Sequence, residues 1–280
     1  MAVRILVDST ADIPPERARE LGIEVVPLIV LFGDESFRDV IDLDTASFYE
    51  RLQKSHVTPT TSTPPPALFE EHYQKLIDEG ATGILALHIG SGLSASYQAS
   101  TTAAREITER TSIPIEVIDT GSVSGGFGLA AEIVAQEAKT GASLDQLAAH
   151  ARSLLERTHL VAVLDTLEYL KRGGRIGNAQ ALVGTLLNIK PILGIRESEV
   201  VPLERVRTRG KALERLGQRI GGMGPLEAVA VAASDDTVAS ELSEVARGFW
   251  SGPIERFLLG PVVGTHAGPG AGGIIAITKA

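Results

Sequence analysis

Short apolar runs alternating with segments of helical length constrain this chain most. Val3–Val7, Val25–Leu31, Ile84–His88 and Ile115–Ile118 read as strands. Between and after them the pattern predicts helices. One is opened by Pro14 and Pro15 and stopped at Gly22, one covers Thr45–Lys54, and one starts at Pro64–Pro66 and continues over Leu68–Asp78. Ser94–Glu109, Gly126–Lys139 and Leu144–Glu156 complete the set. Asp34–Asp44 and Thr58–Thr63 read as loops. Strand and helix in alternation predict an α/β fold, a parallel sheet wrapped by helices.

The second half is less regular. Leu160–Leu164 reads as a strand, Ala179–Leu187 as a helix, and Ile192–Ile195 with Val200–Val206 as a strand pair. Helices over Lys211–Ile220 and Val238–Phe249 flank a strand at Ala228–Ala232. Ile254–Leu259 and Ile274–Thr278 close the chain as strands, and the glycine-rich stretch before the last reads either as a tight turn ahead of an edge strand or as backbone that approaches a ligand. This is the pattern of a mixed-sheet α+β layer. A length of 280 residues suits two domains. The change of pattern near Thr158 divides them into an N-terminal α/β domain, 1–157, and a C-terminal α+β domain, 158–280.

Composition excludes several classes of function. A net charge of −9 with 4% aromatic residues argues against nucleic acid, which needs a basic stripe and stacking rings. The absence of cysteine removes disulfides, thiolate metal sites and cysteine nucleophiles. No pair among the six histidines has helical metal-ligand spacing, so no metal is expected. The first residues read as a strand rather than a signal peptide, and no apolar run has membrane-spanning length. The expectation is a soluble, cytoplasmic protein. A phosphate-cradling GxxxxGK[ST], a GxSxG elbow and a GxGxxG after the first strand are all missing.

Polar corners stand out against this background. Thr61, Ser62 and Thr63 precede a proline-started helix, and Ser91 and Ser94 lie between a strand and a helix, with Ser94 a natural N-cap. Each alone is explained by capping. Together, hydroxyls and helix N-termini at the C-terminal ends of parallel strands make a site for an anion. Thr265 and His266 sit in GTHAGPGAGG, Gly264–Gly273, where glycine density allows close backbone approach to a ligand or to another segment. Lys171, Arg172 and Arg175 surround a Gly-Gly pair. They suit either a helix C-terminus or contact with a phosphate or an acidic partner. A catalytic triad of Ser94, His266 and Asp8 is the competing reading, that of a serine-dependent acyl hydrolase or transferase.

Taken in order, ILVDSTADIP (Ile5–Pro14), TSTP (Thr61–Pro64), GSGLSASYQAS (Gly90–Ser100), VIDTGSVSGGFG (Val117–Gly128), YLKRGGRI (Tyr169–Ile176) and GTHAGPGA (Gly264–Ala271) resemble the DegV family of fatty-acid-binding proteins over essentially the whole chain. The family usually has Gln where Thr63 stands and often Thr where Ala267 stands. It often has Ser, Gly and Thr in place of Gly90, Ala95 and Ser96. Thr61, Ser94 and His266 are retained.

The resemblance implies a three-layer α/β/α domain followed by a mixed-sheet domain, with one long-chain fatty acid buried between them. Its carboxylate would meet Thr61, Ser94 and His266, assisted by Ser62, Ser91 and Thr265. Arg172 and Arg175 would lie near the head group and a docking kinase. The protein would be a carrier with no cofactor and no catalysis of its own, presenting the carboxylate to a separate fatty acid kinase that makes an acyl phosphate for phospholipid synthesis. Transient contact with a membrane surface is compatible with that role. About fourteen buried methylenes at ~0.8 kcal/mol each give roughly 11 kcal/mol gross, from which association and ordering subtract. The tail should therefore dominate affinity, with Ala179–Leu187 a candidate tunnel wall, and the polar residues should set orientation.

Overall fold

A computed structural model describes residues 3–182 and 189–280. The elements run β1 (Val3–Asp8), α1 (Pro15–Leu21), β2 (Ile23–Val26), β3 (Ile29–Phe32), β4 (Glu35–Arg38), α2 (Thr45–Lys54), β5 (Thr60–Ser62), α3 (Pro66–Asp78), β6 (Gly83–His88), α4 (Ser96–Thr111), β7 (Ile115–Asp119), α5 (Gly125–Ala138) and α6 (Leu144–Glu156). They continue with β8 (Thr158–Val163), α7 (Glu168–Arg172), a 3-10 turn at Gly177–Leu182, β9 (Lys190–Arg196), β10 (Glu199–Val206), α8 (Arg209–Gly221), β11 (Leu226–Ala233), α9 (Asp236–Arg247), β12 (Ile254–Leu258), α10 (Pro261–Ala267) and β13 (Gly272–Thr278).

A parallel sheet of order β2-β1-β6-β7 forms the first layer system. β6 is buried at every residue, as a strand covered on both faces must be. On one face Leu6, Ile84 and Ala86 pack with Phe69, Tyr73 and Leu76 of α3 and Ala103 and Ile107 of α4. On the other, Ile5, Val7, Leu85 and Leu87 pack against α1, α5 and α6. This is the expected three-layer arrangement.

β8 opens a six-stranded mixed sheet of order β10-β9-β8-β13-β11-β12. α8 and α9 cover one face through Leu216, Ile220, Val238 and Leu242. The other face meets α5, so that Ala230, Phe257 and Ile275 share one core with the parallel sheet. β13, an edge strand in one of the two readings of the glycine-rich stretch, lies inside the sheet. It pairs antiparallel with β8 on one side and β11 on the other.

A third sheet, β4-β3-β5, departs from the sequence expectation. The run Val25–Leu31 is not one strand. It breaks at Pro27, which has no N–H to donate, and Leu28 N–H donates instead to Ser9 Oγ at 3.0 Å. The chain then enters β3, which pairs antiparallel with β4 and β5, placing Val30 opposite Thr61. Part of the expected loop at Asp34–Asp44 is therefore strand. The predicted helix Ala179–Leu187 begins as the 3-10 turn, and its remainder lies outside the described residues. Among the described residues no helix is long and apolar enough to cross a membrane.

Candidate functional site

The C-terminal ends of the parallel strands face the six-stranded sheet across a cavity of about 150 Å³. Most of its wall is hydrocarbon, including Ile89 and Leu93 from one side and Leu160, Leu164, Leu193 and Ala232 from the other. Thr61, Ser62, Thr63, Ser94, Arg175 and His266 add polar groups to that wall.

The third sheet and α10 bring the first pair together. Thr61 on β5 and His266 on α10 meet with Oγ1 and Nε2 2.9 Å apart. α10 is a helix, not the glycine-rich turn expected at its start. Pro261 occupies its first position. Gly264 lets it approach α2, because a β-carbon there would lie 2.7 Å from Phe48 and 2.8 Å from the Tyr49 hydroxyl.

Gly173 closes on His266 from the other side. A β-carbon at Gly173 would lie 2.0 Å from His266 Nδ1. That nitrogen is buried with no hydrogen-bond partner. Burial, and then the positive charge of Arg175, push the imidazole down to about 4. The ring is neutral at physiological pH. Because Nδ1 has no acceptor, we assign the ring proton to Nε2, which donates it to Thr61 Oγ1.

Ser94 belongs to a second hydroxyl chain. Its Oγ lies 3.0 Å from Thr63 Oγ1 and 2.9 Å from Ser96 Oγ. α4 begins at Ser96 with Ala95 as its N-cap, so Ser94 is not the N-cap predicted for it. Arg175 is anchored beside this chain, with Nε donating to Leu93 O at 3.1 Å and Nη1 to Gly173 O at 2.9 Å.

Other predicted residues fall elsewhere. Ser91 is not on the cavity wall; its backbone N–H donates to Asp119 at 3.1 Å. Thr265 is buried and its hydroxyl donates to Pro261 O within α10 at 2.8 Å. Arg172 is exposed and pairs with Glu168 at 2.9 Å. Thr63, one of the three hydroxyls of the Thr61–Thr63 corner, proves to be the neighbour of Ser94, and Gly173, which sequence reasoning does not select as a site residue, the neighbour of His266.

The triad of the competing reading is not assembled. Ser94 bonds to Thr63 and Ser96, and His266 bonds to Thr61. Asp8 accepts from His88 Nδ1 and Ile89 N, both at 3.0 Å, and from Thr10. No cluster of three or more His, Asp or Glu able to hold a metal is present among the described residues.

The sequence profile of the DegV family matches residues 2–279. A DegV domain-containing protein of Streptomyces coelicolor is 37% identical over 283 residues, which cover 99% of each chain. Among solved structures, a DegV family protein from Thermus thermophilus, described for its fatty acid binding, superposes with a TM-score of 0.89 at 32% identity, covering 100% of both chains. DegV of Bacillus subtilis, described as a fatty acid binding protein, superposes with a TM-score of 0.87 at 31% identity, again over 100% of both chains.

Proposed function

This chain belongs to the DegV family, and from that premise we propose that it binds one long-chain fatty acid in the cavity between its sheets. The observation that carries the reading is an apolar cavity whose polar residues include a hydrogen-bonded Thr61–His266 pair and a hydroxyl chain through Ser94. An acyl chain matches the hydrocarbon wall, and each buried methylene adds about 0.8 kcal/mol. A carboxylate matches the polar groups. His266 Nε2–H donates to Thr61 and frees the Thr61 proton for the anion. Ser94 supplies a second O–H, and Arg175 supplies its remaining Nη2 and a positive charge. Thr61 and Ser94 supply neutral donors, and Arg175 is the charged partner of the carboxylate.

The same arrangement supports a carrier role: the head group is presented to a separate fatty acid kinase, which forms the acyl phosphate. We place the domain boundary at Thr158, so that the ligand lies between two units, and Arg172, exposed beside Arg175, in the kinase contact. A thermal shift with octadecanoic acid tests the binding, since a ligand that binds the native state raises Tm. Unchanged Tm at saturating acid contradicts it. Acyl phosphate formation, measured with kinase and ATP in the presence and absence of this protein, tests the carrier role.

A further inference from the structure

α10 carries His266 to the head-group site, and two buried carboxyls hold its beginning. Asp12 Oδ1 accepts from Gly260 N–H at 2.9 Å, and Asp39 Oδ1 accepts from Val262 N–H at 3.3 Å. Pro261 between them has no N–H to give. A β-carbon at Gly260 would lie 3.1 Å from Asp12 Oδ1 and 3.4 Å from Asp39 Oδ1, so the start of the helix sits against both carboxyls. Val262 and His266 are one helical turn apart, and both line the cavity. Where Val262 is held therefore sets where His266 meets Thr61.

Asp39 is the one of the two with both oxygens engaged. It lies just past β4, in a stretch that reads from the sequence as a loop, yet it is 1% exposed. Its Oδ2 accepts from Ser9 Oγ at 2.6 Å, and Ser9 Oγ in turn accepts from Leu28 N–H. Asp12 keeps a buried Oδ2 without a partner among the described residues. The groups that face Asp39 are acidic. Asp12 lies across Gly260, and Asp8 stands at the end of β1, bonded to Thr10, His88 and Ile89 N–H. The buried Tyr49 hydroxyl of α2 faces Asp12. Among the described residues no arginine or lysine pairs with any of the three carboxyls. Arg175, the cation of the cavity wall, bonds to Leu93 O and Gly173 O instead. Burial lifts Asp39 from 3.8 to about 6 and Asp12 well above its usual range. At physiological pH Asp39 is thus a buried negative charge, one hydrogen bond behind the cavity wall at Val262.

We infer that Asp39 is a positioning residue of the head-group site: by holding Val262 it aims His266 at Thr61, and its negative charge opposes the ligand's carboxylate. The site then binds a fatty acid anion more tightly when Asp39 carries a proton. A protonated carboxyl still accepts from Val262 N–H through Oδ1 while donating to Ser9 Oγ, so the positioning survives the loss of charge. That role rests on the fatty-acid reading above.

The test is the affinity for octadecanoic acid from pH 5.5 to pH 8, in the native protein and in Asp39→Asn. Asparagine has the donor and acceptor pattern of the protonated acid and cannot ionise. The ratio of the two affinities cancels the ligand's own titration. They should agree at pH 5.5, and Asp39→Asn should bind about threefold to tenfold tighter at pH 8. A ratio that does not change with pH is the mark of a purely structural residue and would overturn the inference. Asp39→Ala should lose about tenfold at every pH, a loss that Asp39→Asn recovers. In the His266→Ala background that loss should nearly vanish, because the ring that Asp39 aims is gone. An undiminished loss there would show that Asp39 does not act through His266. If Asp39→Ala does not fold, the pH series with Asp39→Asn decides alone. If octadecanoic acid binds and these results fail, the positioning role falls and the fatty-acid reading stands. If no acid binds the native protein at any pH, both fall.

Discussion

Thr61 and His266, 205 residues apart in the chain, meet at 2.9 Å because β5 and α10 pack on the same small sheet. That contact couples a hydroxyl to a neutral imidazole on the wall of an apolar cavity. In the proposed reading it turns two weak donors into one oriented donor for a carboxylate.

Thr61→Val keeps the shape of the side chain and removes the hydroxyl. It should weaken fatty acid binding by about tenfold or more, the equivalent of about 1.5–3 kcal/mol for a bond to a charged group. His266→Ala should do the same, and His266→Gln, which can still donate to Thr61, should recover part of the loss. Calorimetric titration with octadecanoic acid measures all three. Equal affinities for the native protein and Thr61→Val would remove Thr61 from the head-group site.

Gly173→Ala tests the imidazole's seat. Gly173 has φ −77°, which alanine accepts, so the backbone is unstrained by the change. The new methyl would lie 2.0 Å from His266 Nδ1 and must push the ring away from Thr61. Binding should fall about as far as in His266→Ala, with Tm changed by only about 3 °C. Unaltered affinity would show that the ring position does not matter.

The two arginines should separate. Arg175→Ala should weaken fatty acid binding by about tenfold, because it removes a positive charge from the cavity wall. Arg172→Ala should leave affinity unchanged, since its side chain is exposed and paired with Glu168. It should slow acyl phosphate formation when the kinase is present. A loss of affinity in Arg172→Ala, or none in Arg175→Ala, would reverse these roles.

Two buried groups should give opposite pH slopes in the ligand-free protein. His266 is held down to about 4, against an ordinary 6.5. It binds fewer protons folded than unfolded between those values, so its contribution is lost as pH falls through that window. The Tm difference between the native protein and His266→Gln should therefore shrink from pH 7 to pH 4. Asp39 accepts hydrogen bonds from Ser9 and from Val262 N–H at the start of α10. Burial raises it from 3.8 to about 6. Its contribution is lost as pH rises through 6, so the Tm difference between the native protein and Asp39→Asn should shrink in the other direction. Parallel slopes in the two comparisons would contradict the assignment.

The parallel sheet is legible in the sequence because its strands are buried on both faces and read as unbroken apolar runs, as in Gly83–His88. The third sheet is not. Glu35–Arg38 is largely exposed, and Thr60–Ser62 is three hydroxyl residues long, so neither carries an apolar alternation. α10 is hidden because glycine at 264 argues against a helix until its approach to Phe48 and Tyr49 is known. The last strand of the chain is an edge in one of its two readings, but its inner residues are all buried between two neighbours. Thr61, Ser94 and His266 can be picked out by residue type and by resemblance. Gly173 cannot, because its part is the absence of a side chain opposite a ring from another helix. Thr265 shares a motif with His266 but turns back into its own helix.

Native mass spectrometry of the purified protein, followed by extraction and identification of anything bound, tests the central claim most directly. A fatty-acid carrier should show one long-chain fatty acid per chain, or stoichiometric uptake of one when octadecanoic acid is added. A protein that emerges empty and stays empty in excess fatty acid would contradict that claim.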